Sequence, residues 1–381
     1  MSIYFDNNST TNPCEKALEA MNFCLREVYG NPSSVHAPGN FAREKLSQLR
    51  REIAASINAK ENEIIFVASG SEANNLCIKG FCYSANTENK KHIITTAIEH
   101  PSVLKTFEEL EAEGFEATYL PVDENGFVQS TTLMNAIRDD TLLVSISHSN
   151  NEIGTIQNIK ELRAMIPHIV FHTDAVQSFK KAPFDASDNR VDLASFSGHK
   201  IHAPKGIGFI FKRDGINIKS IISGGSQEFG LRAGTENIAS IAALAAAIND
   251  INEQDIARIK SLQRKLLNNL LELEGVKING PENLDFRNCT NVSVSFAGHE
   301  AEAIVNYMND KGIYVSTRSA CSSNSKQVSH VLKAINLGPQ YIHGTVRIGL
   351  SKYSTEDEVN AFLGCLQEYM TKNKPYLINP I

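Results

Sequence analysis

Two alternating periodicities constrain this chain more than any other feature. Short apolar runs rich in β-branched residues occupy 64–67, 92–95, 117–120, 142–146, 169–173, 193–196 and 207–211. Amphipathic stretches such as 71–81, 101–113 and 158–165 lie between many of them. Runs this short suit strands, whereas the longer stretches carry the 3.6-residue period of helices. A strand that is followed by a helix and then by another strand is joined through a crossover, and crossovers make strands parallel. The expected fold class is α/β, with a mostly parallel seven-stranded sheet covered by helices on both faces.

Beyond about residue 250 the texture changes. A long charged helix is predicted over 255–273, followed by 291–296, where Val292, Val294 and Phe296 alternate with polar residues. Such alternation suits a sheet with one wet face. The chain therefore reads as a large domain over residues 15–250 and a smaller α+β domain built from residues 1–14 and 251–381.

Charge and cysteine usage narrow the function classes. A net charge of −6 argues against a general nucleic-acid or membrane surface. No apolar run approaches the ~20 residues that a membrane span requires, and the first residues have no signal-peptide pattern. Seven cysteines without a CxxC pair support neither a disulfide framework nor a zinc site. A reducing cytoplasm and no metal are expected.

Three segments point to chemistry. In SFSGHK, Lys200 follows a strand and has Ser, Gly and His for neighbours, a setting that suits a Schiff-base lysine and equally a solvated loop lysine. Asp174 ends another strand, where a carboxylate can hold a pyridine nitrogen protonated or simply cap a helix. Gly70 and Ser71 stand between a strand and a helix, where free N–H groups attract phosphate.

The order of these segments, with others, carries a resemblance. DNNSTT, GNPSSVH (30–36), FVASGSEANN, EHPSV, NNEIG, TDAVQS, SFSGHK, RAGTEN (232–237), SACSS (319–323) and VRIGLS (346–351) follow one another over nearly the whole chain. The sequence resembles the class V aminotransferases of fold type I, and within them the cysteine desulfurases of the NifS/IscS type.

That resemblance implies pyridoxal 5'-phosphate as cofactor and L-cysteine as substrate, converted to L-alanine. Lys200 would carry the cofactor and take the Cα proton, with Asp174 on the pyridine nitrogen and Gln177 on the ring hydroxyl. His100 would stack on the ring and shuttle protons. Gly70, Ser71, Ser197 and His199 would bind the phosphate, and Thr235 would reach the phosphate of a neighbouring subunit, so a homodimer is implied. Asn151, beside the cofactor, and Arg347 would hold the substrate carboxylate. Cys321 would receive the sulfur as a persulfide and pass it to an acceptor protein of unknown identity. Its small polar neighbours suit an exposed loop, and Arg318, where many relatives carry a small residue, is expected to favour the thiolate.

Rival readings are a selenocysteine lyase, another class V enzyme, or a silent scaffold, the last opposed by the intact Lys200, Asp174, His100 and Cys321. The sulfur could serve iron–sulfur cluster assembly, tRNA thiolation or DNA phosphorothioation. The final KNKPYLINPI looks shorter than the tail of housekeeping relatives, which keeps a dedicated partner system open.

Overall fold

A computed structural model describes residues 2–85, 91–317, 328–373 and 375. Its largest sheet has seven strands, in the spatial order Ile64–Val67, Gly208–Lys212, Leu193–Ser197, Val170–Asp174, Thr141–Ser145, His92–Thr96 and Glu116–Leu120. Gly208–Lys212 pairs antiparallel with both of its neighbours, and the pairings from Leu193–Ser197 outward are parallel. The reversal has a local cause. The chain leaves Leu193–Ser197, makes the short turn Gly198–Lys200, and re-enters the sheet at Gly208 without a crossover helix. A Cβ on Gly208 would stand 2.5 Å from the Phe196 carbonyl oxygen, so only glycine allows the two strands to lie this close there.

Helices cover the sheet as the periodicity predicts. Gly70–Ser84, Pro101–Ala112 and Ile159–Met165 match the amphipathic stretches to within a few residues. Ile238–Asn249, IASIAALAAAIN, is apolar around nearly its whole circumference and correspondingly buried, held between Glu15–Glu27 and Ala37–Ala55.

A second core lies around a three-stranded antiparallel sheet of Thr345–Gly349, Asn291–Phe296 and Val276–Ile278, against the helices Glu253–Leu271 and Glu356–Lys372. The N-terminal strand Ile3–Tyr4 pairs with Ile313–Tyr314, and its Ile3 and Phe5 join this core. One expectation fails. Every residue of Asn291–Phe296 is buried, so the sheet has no wet face there. The polar positions face other polar groups: Asn279 Nδ2 donates to Ser295 Oγ at 2.8 Å, Ser295 Oγ pairs with Thr345 Oγ1 at 2.7 Å, and Asn291 Nδ2 donates to the Glu152 carbonyl at 3.2 Å. Polar alternation here separates an apolar core from a satisfied polar seam. Among the described residues no helix is long and apolar enough to cross a membrane.

Candidate active site

The parallel register of two strands builds the site. Asp174 lies opposite Ser195, so both chains leave the sheet at one edge. The turn after Ser197 then lifts Lys200 over that edge. A cavity there is lined by Gly70, Ser71, His100, Asn151, Asp174, Gln177, Ser197, His199, Lys200 and Arg347. These ten predicted residues, scattered over nearly 280 positions, converge on one space. Thr235 does not join them. It is exposed and lines a separate hollow with Glu228 and Arg232. Cys321 and Arg318 lie outside the described residues.

The helix Gly70–Ser84 presents its N-terminus to the cavity. Ser69 caps it by accepting the Glu72 N–H at 3.1 Å, and Glu72 reaches back to the Ala68 N–H at 2.9 Å. Gly70 and Ser71 follow the cap, and their N–H groups have no partner within the helix. A Cβ on Gly70 would come within 2.9 Å of Val176 Cγ2 and 3.3 Å of Ser197 Cβ. Only the bare glycine leaves room there for an anion.

Asp174 is buried and accepts from Asn74 Nδ2 at 2.8 Å and from the Val176 N–H at 2.9 Å. These bonds fix both carboxylate oxygens before any ligand arrives. Lys200 Nζ donates to the carbonyls of Asn8 at 2.7 Å and Ser9 at 2.6 Å. Gln177 Nε2 donates to the same Asn8 carbonyl at 2.9 Å. The N-terminal DNNSTT segment therefore forms one wall. Arg347 is buried, donating from Nη2 to Ser9 Oγ at 2.6 Å and Asp6 Oδ1 at 3.2 Å, and from Nη1 to the Asn151 carbonyl at 3.1 Å.

His100 caps the helix Pro101–Ala112. Its Nδ1 accepts the Ser102 N–H at 3.1 Å, so the neutral ring carries its proton on Nε2. Burial lowers its pKa, Asp174 opposes the shift and the Lys200 charge adds to it. Burial, followed by the Lys200 charge, pushes His199 down to about 3. Both imidazoles are therefore neutral at pH 7. Burial raises the carboxyl of Glu99, beside His100, to about 7.

Several buried polar atoms have no partner among the described residues: Ser197 Oγ, Gln177 Oε1, Arg347 Nε and both side-chain polar atoms of Asn8. Buried polar groups are normally paired, so these atoms suit a polar ligand. The set matches pyridoxal phosphate group by group. A helix N-terminus and Ser197 suit the phosphate, Asp174 the ring nitrogen, Gln177 the ring oxygen and Lys200 the aldehyde. Asn8, Ser9 and Asn74 have no role in the sequence reading. Their signal was present in DNNSTT and SEANN, but small polar residues alone do not say which lysine or aspartate they meet.

The described cysteines offer no nucleophile to this cavity. Cys14, Cys24, Cys77, Cys82 and Cys289 are buried, and Cys365 is partly so. Burial pushes the thiols of Cys77 and Cys82 up to about 12 and that of Cys289 to about 11.

Comparison with known proteins agrees with this geometry. The model of the class-V aminotransferase family matches residues 3–362. A protein named Cysteine desulfurase IscS, from Methanosarcina thermophila, is 41% identical over 377 residues, covering 97% of this chain and 92% of that protein. A solved structure described as a NifS-like protein superposes with a TM-score of 0.91 at 37% identity, covering 98% of this chain and all of the other. A second, described as SspA in complex with cysteine, reaches 0.82 at 34% identity, over 93% of this chain and all of the other. The chain belongs to the class-V aminotransferase family, among the cysteine desulfurases of the NifS/IscS type.

Proposed function

We propose that this enzyme takes sulfur from L-cysteine, releases L-alanine, and holds the sulfur on Cys321 as a persulfide for an acceptor protein. The observation that carries the reading is the convergence of Lys200, Asp174, His100 and Arg347 on one cavity lined by unpartnered polar atoms.

Bound pyridoxal phosphate supplies an electron sink conjugated to the substrate Cα. The protein contributes orientation and proton handling. Arg347 and Asn151 receive the substrate carboxylate, the guanidinium through a planar two-point contact that fixes which Cα bond points at Lys200. Asp174, preset by Asn74 and the Val176 N–H, stabilises positive charge at the ring nitrogen. Lys200, released from the Asn8 and Ser9 carbonyls, takes the Cα proton. His100, with its Nε2 proton directed by the Nδ1 bond, serves as donor in the proton transfers beside it.

Sulfur transfer is a displacement at sulfur. The Cys321 thiolate forms the new S–S bond as the substrate C–S bond breaks. The electron pair of that bond stays with carbon, which gains protons and leaves as the methyl group of alanine. Every described cysteine but Cys365 is buried, and none lines the cavity, which supports Cys321 as the acceptor. An Arg318 cation three residues away favours its thiolate.

A homodimer is part of the proposal. Val35 and Tyr29, in and beside GNPSSVH, are 89% and 75% exposed, and Phe229, just before RAGTEN, is 61% exposed. Large exposed apolar groups of this kind mark association surfaces, and Phe229 stands six residues before Thr235. The cytoplasm fits seven cysteines with no disulfide pattern.

The test is to incubate purified holoprotein with L-cysteine and quantify alanine. Alanine release that needs both L-cysteine and Lys200 supports the reading. Release only from L-selenocysteine would move the assignment to a selenocysteine lyase.

A further inference from the structure

A chain of hydrogen bonds joins Asp174 to His100 along the cavity wall. Asn74, on the helix Gly70–Ser84, is 1% exposed and lines the cavity together with Ser102. Its Nδ2 donates to Asp174 Oδ2 at 2.8 Å and to Ser102 Oγ at 2.8 Å. A carboxylate only accepts, so the amide nitrogen and not the amide oxygen faces Asp174, and both amide protons are used. Ser102 Oγ then has its single proton to give, and it lies 2.8 Å from His100 Nδ1. The Ser102 N–H donates to the same nitrogen at 3.1 Å. His100 Nδ1 therefore accepts twice, and every proton in the chain is directed outward from Asn74.

We infer that Asn74 and Ser102 are positioning residues that set Asp174 and His100 as one unit. The inference rests on the desulfurase reading and adds two residues that act on its proton transfers only through others. With two donors on Nδ1, the neutral ring has its one N–H at Nε2. Turning the ring over would break both bonds at once and strand the Ser102 donors, so the imidazole keeps one orientation. Hydrogen bonds in a chain polarise one another. Donation from Asn74 to Ser102 Oγ strengthens that hydroxyl's own donation to His100, so a change at Asn74 is felt at a ring two bonds away. Proton transfer demands a donor within hydrogen-bond reach of the reacting atom, and this chain fixes where the donor sits.

The experiment compares wild type, Asn74→Ala, Ser102→Ala, Ser102→Thr and the double alanine variant as holoproteins. Nitrogen NMR of protein with isotope-labelled histidines reads the ring directly, the His100 signals being those lost in His100→Gln. Wild type at pH 7 should show a protonated Nε2 and an unprotonated, hydrogen-bonded Nδ1. The Nδ1 signal should move toward that of a nitrogen with no donor in Ser102→Ala, and less far in the same direction in Asn74→Ala. Ser102→Ala should keep the visible cofactor spectrum and hold KM for L-cysteine within about twofold, with kcat for alanine release lowered about five- to tenfold, the worth of one hydrogen bond. Ser102→Thr, which keeps the hydroxyl, should recover most of that kcat. Adding Ser102→Ala to Asn74→Ala should slow the enzyme by less than about twofold more, because effects within one network do not add. A wild-type His100 protonated on Nδ1, or an Nδ1 signal unmoved in Asn74→Ala, would overturn the inference. So would a Ser102→Thr enzyme as slow as the alanine variant, or single effects that multiply in the double variant. Wild-type holoprotein that releases no alanine would instead overturn the desulfurase reading, while the nitrogen signals would still decide the chain of bonds.

Discussion

Two buried arginines show how this molecule separates architecture from chemistry. Arg287, 1% exposed, donates from Nε to the Pro281 carbonyl at 2.6 Å, from Nη1 to Ile153 at 3.1 Å and from Nη2 to Asn279 at 2.6 Å. Arg347, 3% exposed, is nearly as deep, yet its Nε has no partner among the described residues and its side chain lines the cavity. The first is satisfied on every side and seals the seam between the two cores. The second is held in place on one side and left open on the other. Burial alone does not mark a functional arginine; an unfilled donor on a side chain that lines the cavity does.

The comparison is broken most severely at Lys200. Lys200→Ala should abolish the visible cofactor absorbance and lower alanine release by at least about a thousandfold. Thermal unfolding of the cofactor-free protein should shift less than in Arg287→Ala, because the Lys200 bonds to the Asn8 and Ser9 carbonyls are only part-buried and water can replace them. Spectra, alanine assays and calorimetry on one preparation check all three.

The arginines themselves should then give opposite phenotypes. Arg287→Ala strands three carbonyls, each costing about 1–3 kcal/mol when left unpaired. Stability in denaturant should fall by about 3 kcal/mol or more, while kcat/KM of the folded fraction stays within about twofold. Arg347→Lys should leave stability within about 1 kcal/mol and raise KM for cysteine on the order of tenfold, since a point charge cannot copy the planar two-point contact. Arg347→Lys with unchanged KM would erase the distinction.

Acid titration probes the buried imidazoles. Burial lowers His148 to about 4 and His172 to about 3, against an ordinary value near 6.5. Below pH 6.5 the unfolded chain binds protons that the native imidazoles refuse. Stability is therefore full above pH 6.5 and falls as pH drops toward 4, by about 1.4 kcal/mol per pH unit for each histidine. Calorimetry from pH 7 to 4 should show this slope, and His148→Gln should flatten it by one histidine's share.

The smallest effect belongs to the surface. Lys160 and Asp188 form an ion pair at 2.6 Å, with side chains 61% and 57% exposed. Lys160→Ala should change stability by less than about 0.5 kcal/mol and activity not at all.

Much of this was legible in the sequence, for reasons specific residues illustrate. Lys200 and Asp174 stand at strand ends, and parallel strands bring their ends to one edge whatever lies between them. The wall formed by Asn8 and Ser9 was not legible, because contacts spanning some 190 residues leave no periodicity. Asn291–Phe296 misled because alternation reports a difference between two faces and not which face meets water. Thr235 stands outside the cavity of its own chain, and its expected ligand belongs to a second copy.

Transfer of sulfur to Cys321 tests the account most directly. Holoprotein treated with L-cysteine, then alkylated and digested, should yield the Cys321 peptide heavier by one sulfur atom, in step with alanine and absent in Lys200→Ala. Alanine formed with the extra sulfur on another cysteine, or on none, would contradict it.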